Sequence, residues 1–90
     1  MSDDLLTPGR LATLRATDSP WPLSANAIRR TAGLSSPEAA KRHLRALVRA
    51  GLVRRTWARA DKYLPGEYVW QATAAGRRVL AAADREANTQ

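Results

Sequence analysis

Residues 33–53 read Gly33-Leu34-Ser35-Ser36-Pro37-Glu38-Ala39-Ala40-Lys41-Arg42-His43-Leu44-Arg45-Ala46-Leu47-Val48-Arg49-Ala50-Gly51-Leu52-Val53, a tight turn followed by a helix with its own start and stop signals. Ser35 or Ser36 can accept from the first free amides. Pro37 suits the first turn, where its missing N–H would have no partner, and Glu38 completes a Ser35-x-x-Glu38 capping box. Gly51 supplies the left-handed stop. Between these signals Ala40, Leu44, Leu47 and Val48 recur at helical spacing on one face, and Lys41, Arg42, Arg45 and Arg49 fall largely on the other. One face is suited to a core and the other to a polyanion.

A basic helix face is often only solvated, so the reading depends on what surrounds it. Upstream, Ser24 caps a short helix over Ala25–Ala32, and Gly33-Leu34-Ser35 is short enough to set two helices at a steep angle. The pair makes a helix-turn-helix pattern. Before it, Thr7-Pro8 opens a helix to about Ala16 with Leu11 and Leu14 on one side, and Asp18-Ser19-Pro20 is turn chemistry. Trp21-Pro22-Leu23 reads as an extended bridge, a minor edge strand, with Trp21 as a lid on the core.

After Gly51 the period becomes alternating. Val53, Arg55 and Trp57 share one face and Arg54, Thr56 and Ala58 the other, a strand through about Arg59. Tyr68-Val69-Trp70-Gln71-Ala72 follows the Pro65-Gly66 turn signal and forms the second strand of a hairpin with a long loop, Ala60 to Glu67. Trp57, Tyr68 and Trp70 are read as cross-strand packing rather than base-stacking platforms. Thr73 caps a last helix from Ala74 to about Ala83, with Val79, Leu80 and Ala83 as its apolar stripe. Residues 1–6 and 85–90 are expected to be flexible tails of one domain spanning 1–90.

Charge and composition narrow the function classes. The chain carries 15 Lys and Arg against 8 Asp and Glu, a net +7, in 90 residues with a pI near 11.3. The charge is concentrated: from Ser36 to Lys62 eight basic residues face only Glu38 and Asp61, a net +6. Such a local field attracts phosphate. The longest apolar run, Val79–Ala83, is far short of the roughly 20 residues a membrane helix needs, and the acidic start is not a signal peptide. The absence of cysteine removes disulfides and thiolate metal sites, and fits a cytoplasmic, nucleoid-associated location. A metal site would need converging ligands, yet His43 is the sole histidine and reads as structural or phosphate-contacting. No cofactor or effector pocket is legible. No glycine-rich phosphate loop is present, and a hydrolytic triad would have to borrow residues already explained by capping and packing, so the chain is not read as an enzyme.

Two motifs carry a family resemblance. Arg42-His43-Leu44-Arg45-Ala46-Leu47 running into Ala50-Gly51-Leu52-Val53 resembles a recognition helix ending before a wing. Thr73-Ala74-Ala75-Gly76-Arg77-Arg78-Val79-Leu80 looks like the T-x-x-G-x-x-x-L start of the helix that follows it. Together they make the chain similar to bacterial and phage winged helix-turn-helix regulators of the MarR, PadR and ArsR type, over most of Ser24–Leu80. The turn Gly33-Leu34-Ser35-Ser36 is one residue longer than the usual family pattern.

The resemblance implies a mainly α fold with a small β-hairpin: a three-helix core, a two-stranded wing and a C-terminal helix. It implies sequence-specific binding of double-stranded DNA as a small transcriptional regulator, with helix 36–50 in the major groove and wing 53–72 on the backbone or minor groove. Ser36, Pro37, Glu38, Ala39, Lys41, Arg42, Arg45 and Arg49 would then lie on or beside the groove-facing side. Arg42 and Lys41 lead for base edges or flanking phosphates, because Arg bonds guanine bidentately and Lys acts as a mobile charge. Glu38 could accept from a cytosine amino group or serve the cap. Arg59 and Lys62 would reach the minor groove or backbone, and Arg29 and Arg30 would clamp phosphate. Alternative functions for the same fold are a protein-interaction module, or an architectural, recombination or replication accessory factor of phage or plasmid type. The leucines near the start and the stripe near the end predict a weak homodimer through the terminal helices.

Overall fold

The computed structural model describes residues 7–59 and 62–88. The elements follow in the order α1 (Pro8–Ala16), β1 (Leu23–Ser24), α2 (Ala25–Ala32), α3 (Pro37–Arg49), β2 (Val53–Ala58), β3 (Glu67–Ala72) and α4 (Ala74–Asn88). Three helices pack pairwise, and a three-stranded antiparallel sheet in the order β1-β3-β2 stands beside them. The small edge strand is real, though only two residues long: Leu23 pairs with Trp70 and Ser24 with Val69.

Local chemistry sets each boundary. Thr7 accepts from the Arg10 amide at 3.3 Å with Pro8 in the first turn. Ser24 closes β1 and also caps α2 by accepting from Ala27 N at 3.2 Å. Ser36 caps α3, its Oγ accepting from Ala39 N at 3.2 Å. The Ser35-x-x-Glu38 capping box therefore does not form. With the cap one residue later, the third helical position is Ala39, and Glu38 acts only through its charge in the first turn. At the far end Leu52 N donates to Leu47 O at 2.9 Å and Gly51 N to Val48 O at 3.0 Å, a Schellman stop with Gly51 at φ 79°.

Leu14, Ile28, Leu44 and Leu47 are wholly buried at the helix junction, with Leu52, Val53, Trp70, Ala72 and Leu80 closing the core from the sheet and α4. The buried hydroxyls are satisfied, Thr13 donating to Gly9 O at 2.8 Å and Thr17 to Leu14 O at 2.6 Å. Trp21 does not cover this core. Held between Pro20 and Pro22, it is 64% exposed.

The two motifs interlock. Thr73 N donates to Leu52 O at 3.0 Å and Thr73 Oγ1 to Gly51 O at 2.7 Å, while Gly76 N donates back to Thr73 Oγ1 at 3.1 Å. Gly76 lies so close that a Cβ there would overlap the Leu52 carbonyl oxygen and meet Leu14 Cδ1 at 3.2 Å. The glycine of T-x-x-G lets α4 lie directly on the turn that launches the wing. Helix α4 then runs to Asn88, beyond the expected end near Ala83, so residues 85–88 of the expected tail are helical. Residues 1–6 and 89–90, including the apolar Leu5 and Leu6, lie outside the described residues.

Candidate nucleic-acid interface

At about 100° per residue, the buried Ala40, Leu44 and Leu47 occupy one side of α3, and Glu38, Arg42, Arg45 and Arg49 form a narrow stripe opposite them. All four stripe residues are exposed. Ser36, Pro37 and Ala39 sit at the helix entrance, partly buried, and the Ser36 hydroxyl is occupied by its cap. Lys41 is partly buried and turned toward the wing, where it lines the space beside Tyr68 and Trp70. The stripe, rather than Lys41, presents the outermost charges.

On the wing, Arg55 pairs with Trp70 across the strands and Trp57 with Tyr68. The Trp57 and Tyr68 rings meet edge to face at 4.9 Å, and the Arg55 guanidinium lies 4.2 Å over the Tyr68 ring. Cross-strand packing thus accounts for these aromatics, yet Trp57 stays 55% and Tyr68 42% exposed. Arg59 and Lys62 flank the loop, both exposed, with Arg59 Nη1 donating to Lys62 O at 3.4 Å. Ala60 and Asp61, inside that loop, lie outside the described residues. Arg54 turns to the other side of the ribbon and donates to Gln71 Oε1 at 3.3 Å. In the last turn of α2, Arg29 donates to Asn26 Oδ1 at 3.2 Å and Arg30 is exposed.

Sequence reasoning passed over two cations. Arg55 was signalled by its alternation with Trp57 on the strand face. Arg10 had no local signal, since its Nε donates to His43 Nδ1 at 3.4 Å from a position 33 residues away. Burial first, then the Arg10 and Arg42 charges, holds the His43 imidazole below its ordinary pKa. With Nδ1 accepting, the neutral ring carries its proton on Nε2, which faces Gly9.

Electrostatic partition sharpens the picture. Among the described residues the ion pairs are Arg15–Asp84 at 2.9 Å and Arg77–Asp18 at 3.5 Å, both joining α1 or the turn after it to α4. None involves α3 or the wing. Acidic partners neutralise cations on the helical support, while the cations of α3 and β2 have no carboxylate partner among the described residues. No group of His and acidic residues among those described could hold a metal ion, and no described helix is long and apolar enough to cross a membrane.

A family model described as a helix-turn-helix domain matches residues 5–56. The crystal structure of a MarR family transcription regulator superposes with a TM-score of 0.74 at 21% identity, covering 93% of this chain and 54% of that one. The chain therefore spans about half the length of that regulator, and the likeness is one of fold. No curated protein matches the chain.

Proposed function

This chain belongs to the helix-turn-helix domain family, and on that premise we propose that it binds double-stranded DNA as a small, non-catalytic transcriptional regulator, α3 entering the major groove and the wing lying along the backbone or minor groove. The observation that carries this reading is the unneutralised Arg42-Arg45-Arg49 stripe on the second helix of the motif, opposite a face wholly committed to the core. Charge at that position on a helix-turn-helix motif suits a polyanion, and a rigid helix can present arginines to base edges as well as phosphates. Arg42 is the proposed reader of guanine. Arg45 and Arg49 extend the stripe, and Lys41, Arg59, Lys62, Arg29 and Arg30 hold the backbone on either side. Glu38, at the amino end of the stripe, either accepts from a cytosine amino group or repels phosphate and so limits register.

One domain with one recognition helix covers few base pairs, so two copies on half-sites about one helical turn apart would gain affinity and specificity. A second reading is favoured by the apolar wing end, where Tyr63 is 82% and Leu64 53% exposed: the hairpin docks another protein and the basic face is secondary. Mobility shift with Arg42→Ala and Lys62→Ala separates the readings. Arg42→Ala should cost on the order of 1–3 kcal/mol on a preferred site and relax sequence preference, whereas Lys62→Ala should weaken all duplexes alike and by less. Equal loss on preferred and random duplexes from both changes would remove α3 as the reading element.

A further inference from the structure

Between α3 and the wing the two elements are splayed, leaving a cleft of about 410 Å³ walled by Lys41, Arg45, Arg49, Arg55, Tyr68 and Trp70. A neighbouring hollow of about 350 Å³ shares Lys41, Tyr68 and Trp70 and extends past Trp57 to Glu67. Both fall in the size range of clefts that hold small molecules, roughly 300–1,000 Å³. The larger one has four cations and no carboxylate in its wall, and none of the four has an ion pair or a side-chain hydrogen bond among the described residues. Arg55 is held only by its stacking on Tyr68. Lys41 is partly buried and Arg45, Arg49 and Arg55 are exposed; like charges gathered around one hollow repel one another, and the arrangement is relieved when an anion enters.

The aromatic wall narrows the ligand further. A duplex phosphodiester would satisfy the charges but has no free ring to offer, because its bases are stacked on each other. Tyr68 and Trp57 are only half covered, and the Arg55 guanidinium plane over Tyr68 is itself a surface on which a flat heterocycle can stack. A ligand that uses the cations and the rings together carries both phosphate and an unstacked base. We propose that this cleft is a nucleotide site: phosphates on Lys41, Arg45 and Arg49, and the base against Arg55, Tyr68 and the Trp57 edge. The source is either a free mononucleotide or an unpaired nucleotide within a strand. Lys41, Arg45 and Arg49 also serve the proposed duplex interface, so occupancy of the cleft and duplex binding are mutually exclusive, and a nucleotide would release the protein from DNA.

The test titrates the full chain, without duplex, by calorimetry and tryptophan fluorescence, using ATP, inorganic triphosphate and a short oligothymidylate. The expected result is saturable binding of ATP or the oligonucleotide at least about tenfold tighter than inorganic triphosphate, the margin a stacked base supplies. Saturation by ATP assigns a free nucleotide, and saturation by the oligonucleotide alone assigns an unpaired strand. Tyr68→Leu should abolish the margin. Arg55→Met, at an exposed position, does the same without touching the core, and thermal melts of both variants separate lost binding from lost fold. Equal affinity for ATP and inorganic triphosphate, or no binding by any probe, overturns the nucleotide site. Because no duplex is present, that failure is distinct from a failure of the duplex reading.

Discussion

Replacing Gly76 by Ala sets local helix preference against packing, with opposite signs. Gly76 is the third residue of α4, and an exchange of Gly for Ala within a helix stabilises by up to about 1 kcal/mol. Here the new Cβ would overlap the Leu52 carbonyl oxygen and press on Leu14 Cδ1. Neither neighbour can yield cheaply: the first is backbone in the Schellman stop of α3, and the second belongs to a wholly buried side chain. Overpacking of this kind costs about 1–3 kcal/mol. Moving α4 away stretches the two Thr73 bonds to Leu52 O and Gly51 O, each with a net value of about 0.5–1.5 kcal/mol. After subtracting the helix gain, the substitution should destabilise by about 1–4 kcal/mol. At roughly 4–8 °C per kcal/mol for a domain of this size, the midpoint of thermal unfolding followed by circular dichroism should fall by roughly 4–30 °C, with urea unfolding shifting in parallel. An unchanged or raised melting temperature would refute the close approach and with it the account of why T-x-x-G follows the wing.

Further outcomes follow from His43 and from the helix faces. Folding lowers the His43 pKa, so between the folded value and the unfolded value of about 6.5 the unfolded chain binds more protons. The contribution to stability is complete above that unfolded value and is lost as pH falls below it; urea melts across pH 7.5 to about 5 should show this decline, and His43→Gln should remove it. Leu14 and Leu80 are buried within one copy, so a homodimer through the terminal helices must rest on what remains, including Leu11 and Val79. Sedimentation should show a weak dimer that forms more readily on DNA, and a one-to-one complex on a single undivided site, with no dimer at high concentration, would exclude it.

Signals legible along the chain were those that act over one turn. Ser36, Pro37 and Gly51 bound α3, and alternation after Gly51 announces a strand. The choice between Ser35 and Ser36 was not legible, because it depends on which residue the preceding turn leaves extended; Ser36 is at φ −155°, ψ 157°. Trp21 looked like core by its size, but burial is decided by where the Pro20–Pro22 bridge crosses the sheet edge. The run from Ala83 to Asn88 holds no proline or glycine, so nothing stops α4 where its apolar stripe ends. The basic stripe of α3 followed from periodicity. Its pairing with the wing did not: the inward turn of Lys41, the Arg55–Tyr68 stack and the Arg10–His43 bond all arise from tertiary placement. So does the placement of the Arg15–Asp84 and Arg77–Asp18 ion pairs on α1, α4 and the turn between α1 and β1.

The salt dependence of duplex binding tests the central claim most directly. The segment from Ser36 to Lys62 carries a net +6, and neutralising about six phosphates releases counterions with a slope of about −5 in log affinity against log salt. Fluorescence anisotropy with labelled duplex over a salt series should return that slope, reduced by about one unit for each stripe arginine replaced by alanine. Affinity retained with a flat response to salt would contradict DNA binding through α3 and the wing and would assign the basic face to a protein partner instead.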